Sequence, residues 1–408
     1  MLNKNKVFIA IILVFGILIL GFLMLGWQFY RKNLSGILPA IKKPTVDVVE
    51  VTTSSTSPFA LPPGFGLSIF ASGLGNPRVM VFDNGGTMLV SLASGGKVVA
   101  LPDKNNDGKA DGVITILSGL NKPHGLALDC PAGGSCKLYV AETDALVSYD
   151  YDSSNFLATN RKKLLDLPKG GNHTTRSLQL ISQDGQPQLL ISVGSSCNVC
   201  REPDERRGAV LAYDISTGKN GLYAWGLRNA VYMTTEPRSG RIFVTEMGRD
   251  LLGDDFPPDE INILEAGKNY GWPICYGKNM HDGDFDKNTY FRNPCMEPFE
   301  TPSLIDIPAH SAPLGLSFIP SEGWPTEFRN NLIVAYHGSW NRSVPTGYKV
   351  ARMIFDENGN YLKTEDFITG FLNGNQKLGR PAGVAALPGG IIYITDDSAG
   401  VIYRLKYR

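Results

Sequence analysis

The sequence lacks net charge. Its 39 Lys and Arg residues balance 39 Asp and Glu, so no global field draws it to nucleic acid or to an acidic membrane, and electrostatic arguments have to be local. After an N-terminal apolar run it lacks any convincing amphipathic helix of normal length, so strands have to build its core. It also lacks a linker-like stretch between Phe65 and Arg408, which argues against two separate domains. Histidine is scarce, with five residues in 408. Glycine and proline, by contrast, are plentiful at 45 and 26, and that many punctuators in a chain of ordinary hydrophobicity (43%) point to many short strands and tight turns.

The apolar run, Val7 to Trp27, carries no charge over 21 residues, enough at about 1.5 Å per residue to span a bilayer core of about 30 Å. It is longer than the apolar part of a signal peptide and ends in Leu25, Gly26, Trp27, Gln28, Phe29 and Tyr30, a poor cleavage site. Trp27 and Tyr30 suit an interfacial belt, so the run reads as an uncleaved anchor. Lys4 and Lys6 before it and Arg31 and Lys32 after it leave orientation open. The six cysteines address that question. All follow the run and fall in three local pairs, Cys130 with Cys136, Cys197 with Cys200, and Cys275 with Cys295, which suggests disulfides in an oxidising compartment and an extracytoplasmic domain. The Cys197–Cys200 spacing would also suit a redox pair, although no βαβ pattern surrounds it. The expected organisation is an anchor over residues 1–32, a tether over 33–62 that includes the polar run Thr52 to Ser57, and one domain over 63–408.

From Asn76 onward one pattern recurs six times. A turn containing Pro or Arg leads into a short apolar strand, a Gly/Asp/Asn turn follows, and a second apolar strand leads to a polar loop. The six leading turns are Asn76-Pro77-Arg78, Lys122-Pro123-His124, Thr174-Thr175-Arg176, Leu227-Arg228-Asn229, Ser311-Ala312-Pro313 and Gly379-Arg380-Pro381. Six units of three to four strands fit an all-β, six-bladed propeller preceded by one transmembrane helix, because a single blade buries too little apolar surface and ring closure removes exposed edges. In that fold the leading turns and the loops after the second strands meet at one mouth of the central channel. The turns bring Arg78, His124, His173 with Arg176, Arg228 with Asn229, His310 and Arg380; the loops bring Glu142, Glu246, His337 and Asp396. Four arginines crowded into one cavity call for an anion, which guanidinium grips well. The alternative is that each Arg pairs with a carboxylate and staples blades together. Two acidic loops add candidate Ca²⁺ sites: Asp254, Asp255, Asp259 and Glu260 in a Gly/Pro-rich segment, and Asp103 to Asp111, which follows a calcium-loop spacing but has Ile114 at its last position.

SSCNVC at Ser195–Cys200, GLRNAVY at Gly226–Tyr232, DEINIL and NYGWP within Asp259–Pro273, HGSWNRS at His337–Ser343 followed by GYKV, and GRPAGV at Gly379–Val384 are specific by their order and spacing. With these motifs, roughly residues 60–408 resemble the soluble-type sugar dehydrogenases that depend on pyrroloquinoline quinone (PQQ), most closely their sorbosone dehydrogenase-like branch. The resemblance implies a PQQ-bearing propeller that oxidises a sugar or a related polyol or aldehyde. His173 would be the general base, and Arg228 would stabilise the developing oxyanion. Asn229, Lys349 and Arg380 would hold PQQ carboxylates and carbonyls, and Trp340 would line its plane. Arg78, His124 and Arg176 join this set by their place in the repeat. Ca²⁺ would be held by the Gly248–Arg249 backbone, Asp259, Glu260 and Tyr270. Electrons would leave to a membrane quinone or a cytochrome. Asn172 before His173 and the Phe256-Pro257-Pro258 insertion depart from the family pattern. Two other functions compete: a calcium-dependent lactonase, for which a mouth of Arg and His is a poor cation site, and a non-catalytic glycan-binding propeller, which would use Trp340 and Tyr336 as stacking platforms.

Overall fold

The protein is described here by a computed structural model covering residues 4–44, 58–131, 135–183 and 185–408. Each repeat forms one four-stranded antiparallel sheet. The innermost strands of blades 1 to 6 are Pro77–Phe82, Leu126–Asp129, Leu178–Gln183, Ala230–Thr235, Pro313–Phe318 and Pro381–Leu387. Each adjoins the next, and the sixth meets the first, so the ring closes. Phe65–Ala71, which precedes the first leading turn and belongs to no repeat legible in the sequence, pairs with Val401–Tyr407 as the outer strand of blade 6 and ties the two ends of the ring together.

The second strands read as nearly unbroken apolar runs because they are covered on both faces by neighbouring blades. Leu89 and Val90, Leu189 to Ile191, and Leu332 to Ala335 are fully buried. Near the axis the inner strands approach backbone to backbone, and this requires glycine. A Cβ on Gly383 would lie 2.5 Å from the Arg78 carbonyl oxygen, and one on Gly315 would lie 2.6 Å from the Val384 nitrogen.

The inner strands of blades 1, 4, 5 and 6 shift register just after their leading turns. Buried hydroxyls take up N–H groups that these irregularities free. Val79 N–H donates to Ser91 Oγ (3.1 Å), Tyr232 N–H to Thr245 Oγ1 (3.2 Å) and Gly383 N–H to Thr395 Oγ1 (2.6 Å). Thr245 and Thr395 then donate across to the next blade, to Leu314 O (3.0 Å) and Arg78 O (2.9 Å). Such bulges re-aim side chains, here the leading-turn residues at the channel mouth.

One unbroken helix, Lys4–Asn33, precedes the propeller. Its segment Ile11–Asn33 is long and apolar enough to cross a membrane. The expected tether differs from the structure at both ends. Asn33 is buried against the propeller, and Leu38–Ile41 forms a further helical turn. Phe59 is buried and packs edge-on against Phe371 and Tyr403, so the propeller begins before residue 63. The polar run Thr52 to Ser57 lies outside the described residues. The three cysteine pairs form three disulfides, and no cysteine is free.

Candidate functional site

Carboxylates at the ends of three second strands make the leading turns rigid. Glu246 accepts the Asn229 N–H on both oxygens (3.0 and 3.2 Å), Asp396 accepts the Arg380 N–H (2.9 Å), and Glu142 accepts the Asn121 N–H (2.7 Å). Glu246 and Asp396 therefore staple backbone, and the arginines find other partners.

On the blade 3–4 side, His173 Nδ1 lies 3.0 Å from the Ser195 carbonyl oxygen and 2.9 Å from its Oγ, while that hydroxyl donates to Cys197 O (2.6 Å). This fixes the proton on Nδ1 and leaves Nε2 as the free lone pair. Burial and then the nearby Arg228 push the His173 pKa down to about 3, so the ring is neutral at physiological pH. Gly194 makes the assembly possible, since a Cβ there would lie 2.6 Å from both His173 Cβ and Asn229 Oδ1. Arg228 is clamped on every side. Nε and Nη2 donate to the Asn198 carbonyl and side-chain oxygens (both 2.9 Å), Nη1 to Gly248 O (2.9 Å), and Nη2 to Asp250 (2.6 Å). Asn198 sits inside the Cys197–Cys200 disulfide loop, and Ser195 just before it. One short cross-linked loop thus positions both His173 and Arg228.

On the blade 5, 6 and 1 side, Asp397 receives Arg78 and, at 2.8 Å, His337 Nε2. Burial would raise the Asp397 pKa, but His337, Arg78 and Arg380 outweigh it and hold this carboxyl well below the usual range. His337 is lowered to about 4 by burial and by Arg380, so it is neutral and donates. Arg380 bonds the His337 O (3.0 Å) and Gly338 O carbonyls. Lys377, only 5% exposed beside Arg380, makes no side-chain hydrogen bond or ion pair among the described residues. Two arginines and a lysine thus face two aspartates, Asp397 and Asp396, the latter raised by burial to about 6, so that positive charge is in excess by one. Buried polar atoms without partners gather around the same leading turns: His124 Nε2, Asn229 Oδ1 and Tyr232 Oη. His124 is 1% exposed and stacks edge-on against Tyr232, and burial followed by Arg78 lowers its pKa to about 3.

Other expected site residues lie elsewhere or are already committed. Arg176 is fully buried and spent on the carbonyls of Pro168 (2.6 Å), His173 (3.0 Å) and Thr175 (2.8 Å), which makes it a scaffold group and corrects its assignment to the cofactor. Lys349 pairs with Asp366 on the outermost strand of blade 5 and not with the mouth. Trp340 is 40% exposed on the loop after the second strand of blade 5. His310 bonds the Gly253 carbonyl (2.8 Å). The Asp103–Asp111 loop spends its acids on its own backbone, with Asp103 accepting from Asp107 (3.1 Å) and Gly108 (3.0 Å).

Of the expected metal ligands, Gly248, Arg249, Glu260 and Tyr270 line one small cavity together with Glu246. Asp259 is not part of that lining. Its two oxygens accept the Gly248 (2.9 Å) and Ala312 (2.8 Å) N–H groups and tie blade 4 to blade 5. The Tyr270 hydroxyl donates to Ile263 O (2.6 Å) and accepts from Glu265 N–H (2.9 Å), so it is spent as well. Glu246 and Glu260 belong to a group of buried acids that keep their protons. Burial and then Glu260 drive Glu246 well above the carboxylate range; burial and Asp306 raise Glu260 to about 7; burial and Glu260 raise Glu300 to about 8. Glu300 Oε1 and Asn262 Oδ1 are buried without partners. Sequence reasoning missed Lys377, Asp397, Asp250, Ser195, Asn198 and Glu300. Asp397 was within reach, because the motif Thr395-Asp396-Asp397 offers two acids and only register decides which one faces the mouth.

Fold and site together define a six-bladed propeller that joins a neutral histidine to a cluster of buried cations at one end of its channel. The chain belongs to the TrAA12-like family, whose sequence pattern matches residues 59–408. An uncharacterised protein of Borreliella burgdorferi is 31% identical over 371 residues, 86% of this chain and 92% of that one. The pyrroloquinoline quinone-dependent pyranose dehydrogenase of Coprinopsis cinerea is 26% identical, and the match covers 84% of this chain but only 54% of that enzyme. The calcium structure of the Trichoderma reesei carbohydrate-active enzyme of family AA12 superposes with a TM-score of 0.74 at 23% identity, over 89% of this chain and 100% of that one.

Proposed function

We propose that the chain is a PQQ-dependent dehydrogenase of a sugar or related polyol, of the kind its likeness to the sorbosone dehydrogenase-like branch implies, and that it also binds Ca²⁺. The observation that carries the reading is the neutral His173 with a free Nε2, set across the mouth from uncommitted positive charge. The donors fit a tricarboxylate. Among the described residues Lys377 has no side-chain partner, Arg78 pairs with Asp397, and Arg380, bonded to the His337 and Gly338 carbonyls, feels Arg78 as a like charge, so a bound anion relieves their mutual repulsion. The orphaned Asn229 Oδ1, Tyr232 Oη and His124 Nε2 mark polar groups whose bonding is completed only by something in the mouth. By likeness to the AA12 calcium structure, a divalent cation would displace protons from Glu246 and Glu260, which line one small cavity with Gly248 and Arg249; it would compete there with the Asn229 N–H on Glu246 and with the Gly277 N–H and Asn262 amide on Glu260.

When bound, PQQ would supply the quinone that serves as hydride acceptor. The chain supplies the rest. His173 Nε2 removes the substrate hydroxyl proton, and Nδ1–H bonded to Ser195 keeps the ring in the required tautomer and orientation. Arg228, whose donors are committed to Asn198, Met247, Gly248 and Asp250, would stabilise a developing oxyanion through its charge unless one of those bonds is exchanged for it. The apolar helix anchors the protein in a membrane, and the three disulfides favour a propeller outside the cytoplasm. A membrane quinone or a cytochrome takes the electrons.

Dye reduction by the full-length protein, assayed against aldoses and polyols with and without PQQ and Ca²⁺, tests this function. His173→Ala is expected to lower kcat by roughly 10²–10⁴-fold while PQQ binding persists. Unchanged kcat in that variant would remove His173 as the base, and absence of PQQ-dependent turnover in the parent would remove the activity.

A further inference from the structure

The apolar helix does not hang from the propeller on a slack tether; its last turn is docked on the loops beside the candidate site. Asn33 is 2% exposed, and its Oδ1 accepts the Gly253 N–H (3.1 Å). Gly36 N–H donates to Arg342 O (2.8 Å), and a Cβ on Gly36 would lie 2.7 Å from that same oxygen. The receiving loops, residues 247–258 of blade 4 and 337–348 of blade 5, each join a second to a third strand, so they lie on the face that carries the mouth. They are locked to each other. Ser343 N–H donates to Asp254 Oδ1 (2.7 Å), Arg342 donates to Ala309 O (3.1 Å), and His310 holds Gly253 O (2.8 Å). Leu251 and His310 hold left-handed backbone, φ 71° and 65°, which side chains other than glycine's normally avoid. The same loops carry the site, since Asp250 and Gly248 hold Arg228.

The membrane-spanning segment ends where this dock begins. Trp27 and Tyr30 stack at 5.9 Å, as an interfacial belt does, and Arg31 and Lys32 are exposed just before Asn33. Asn33 lies three positions after Tyr30, a rise of about 4.5 Å. The docked loops therefore lie within one side-chain length of the bilayer surface. They expose apolar groups there: Leu251 (36%), Phe256 (52%) and Val344 (67%). Lys42 and Lys43, exposed where the chain leaves the dock, add positive charge suited to anionic headgroups.

We infer that the mouth-bearing face of the propeller is itself a membrane-contacting surface, with Leu251, Phe256 and Val344 seated in the headgroup layer and the site opening toward the bilayer. The inference rests on the anchor reading above. It has two consequences: the sugar enters laterally between the rim and the membrane, and a lipid-dissolved quinone is favoured over a soluble cytochrome as acceptor.

Every native cysteine is in a disulfide, so one introduced thiol can be labelled alone. The full-length protein is reconstituted in nanodiscs containing lipids spin-labelled near the headgroup or deep in the acyl chain. An environment-sensitive fluorophore is then placed, one variant at a time, at Phe256→Cys, Val344→Cys, Gly16→Cys or Asn358→Cys, the last in a turn on the opposite face. Expected are strong quenching of 256 and 344 by the shallow label, quenching of 16 by the deep label, and none at 358. Deep quenching at 16 with 256 and 344 as unquenched as 358 would overturn the inference and leave the anchor standing. No quenching at 16 would overturn both.

Discussion

Two pools of buried charge lie in different blades and depart from neutrality in opposite directions. In blade 4, Glu246 and Glu260 share a cavity with Arg228 and Arg249, but those arginines pair with Asp250 and Asp282, and burial and mutual repulsion raise Glu246, Glu260 and Glu300 above the usual carboxylate range. In blades 6 and 1, Asp397 and Asp396 face Arg78, Arg380 and Lys377, and Asp397 stays ionised well below that range. Burial alone would have raised all of these acids; the local partner decides the sign. One pool is short of a cation and the other of an anion, so neither is complete as protein alone. The two pools should therefore answer to different ligands, a cation for the acids and an anion for the arginines and lysine.

The largest effect is expected from Lys377→Met. Losing a charged hydrogen bond costs up to about 3 kcal/mol, so PQQ affinity measured by calorimetry should fall by roughly 100-fold. Ca²⁺ affinity should not move. A parallel loss of Ca²⁺ binding would mean that the pools are not separate.

The acid pool is next. Glu300 near 8 and Asp259 and Glu260 near 7 have folded-state values above their unfolded ones, so the native state binds more protons than the unfolded chain across that interval. Stability of the Ca²⁺-free protein should therefore fall as pH rises from about 4 to about 8, by at most about 1.4 kcal/mol per pH unit for each group. Ca²⁺ replaces the protons, so thermal unfolding should show it raising Tm more at pH 8 than at pH 5. An increase independent of pH would place the ion elsewhere.

A smaller effect should follow from opening the Cys197–Cys200 loop. The double variant Cys197→Ser, Cys200→Ser frees only a short loop, so Tm should shift little. Misplacing the groups that orient His173 and Arg228 should still lower kcat, by about 10-fold, and leave PQQ affinity near the parent's. Equal losses in Tm and kcat would mean that the loop serves the fold alone. The smallest change is expected from Glu300→Gln, which removes one repelling charge at constant shape. It should stabilise the Ca²⁺-free protein at pH 8 by about 1 kcal/mol and shallow the pH slope, as read from denaturant midpoints.

The propeller was legible because its period is written in turn chemistry. Leading turns with Pro or Arg and near-continuous apolar second strands recur six times, and ring geometry then assigns the mouth. The closing strand Phe65–Ala71 was not legible, because it pairs across the whole chain with Val401–Tyr407 and carries no turn of the repeated kind. At the site, sequence gave residue types and loop positions but not bonding. Arg176 and Arg228 occupy equivalent turns and both are buried and bonded to backbone carbonyls, but Arg228 also pairs with Asp250 and lines the cavity beside Gly248, which Arg176 does not. Asp259 looked like a metal ligand by composition, but two backbone N–H groups claim it. Lys377 escaped notice because only the folded chain shows that it is buried without a side-chain partner among the described residues.

Titrating the full-length protein with PQQ, by calorimetry and absorbance and with and without Ca²⁺, tests the central claim most directly. One PQQ per chain, bound more tightly with Ca²⁺ and much more weakly by Lys377→Met, is the predicted result. No heat and no spectral change under either condition would contradict the account, and would leave the cation surplus at the mouth to some other anion.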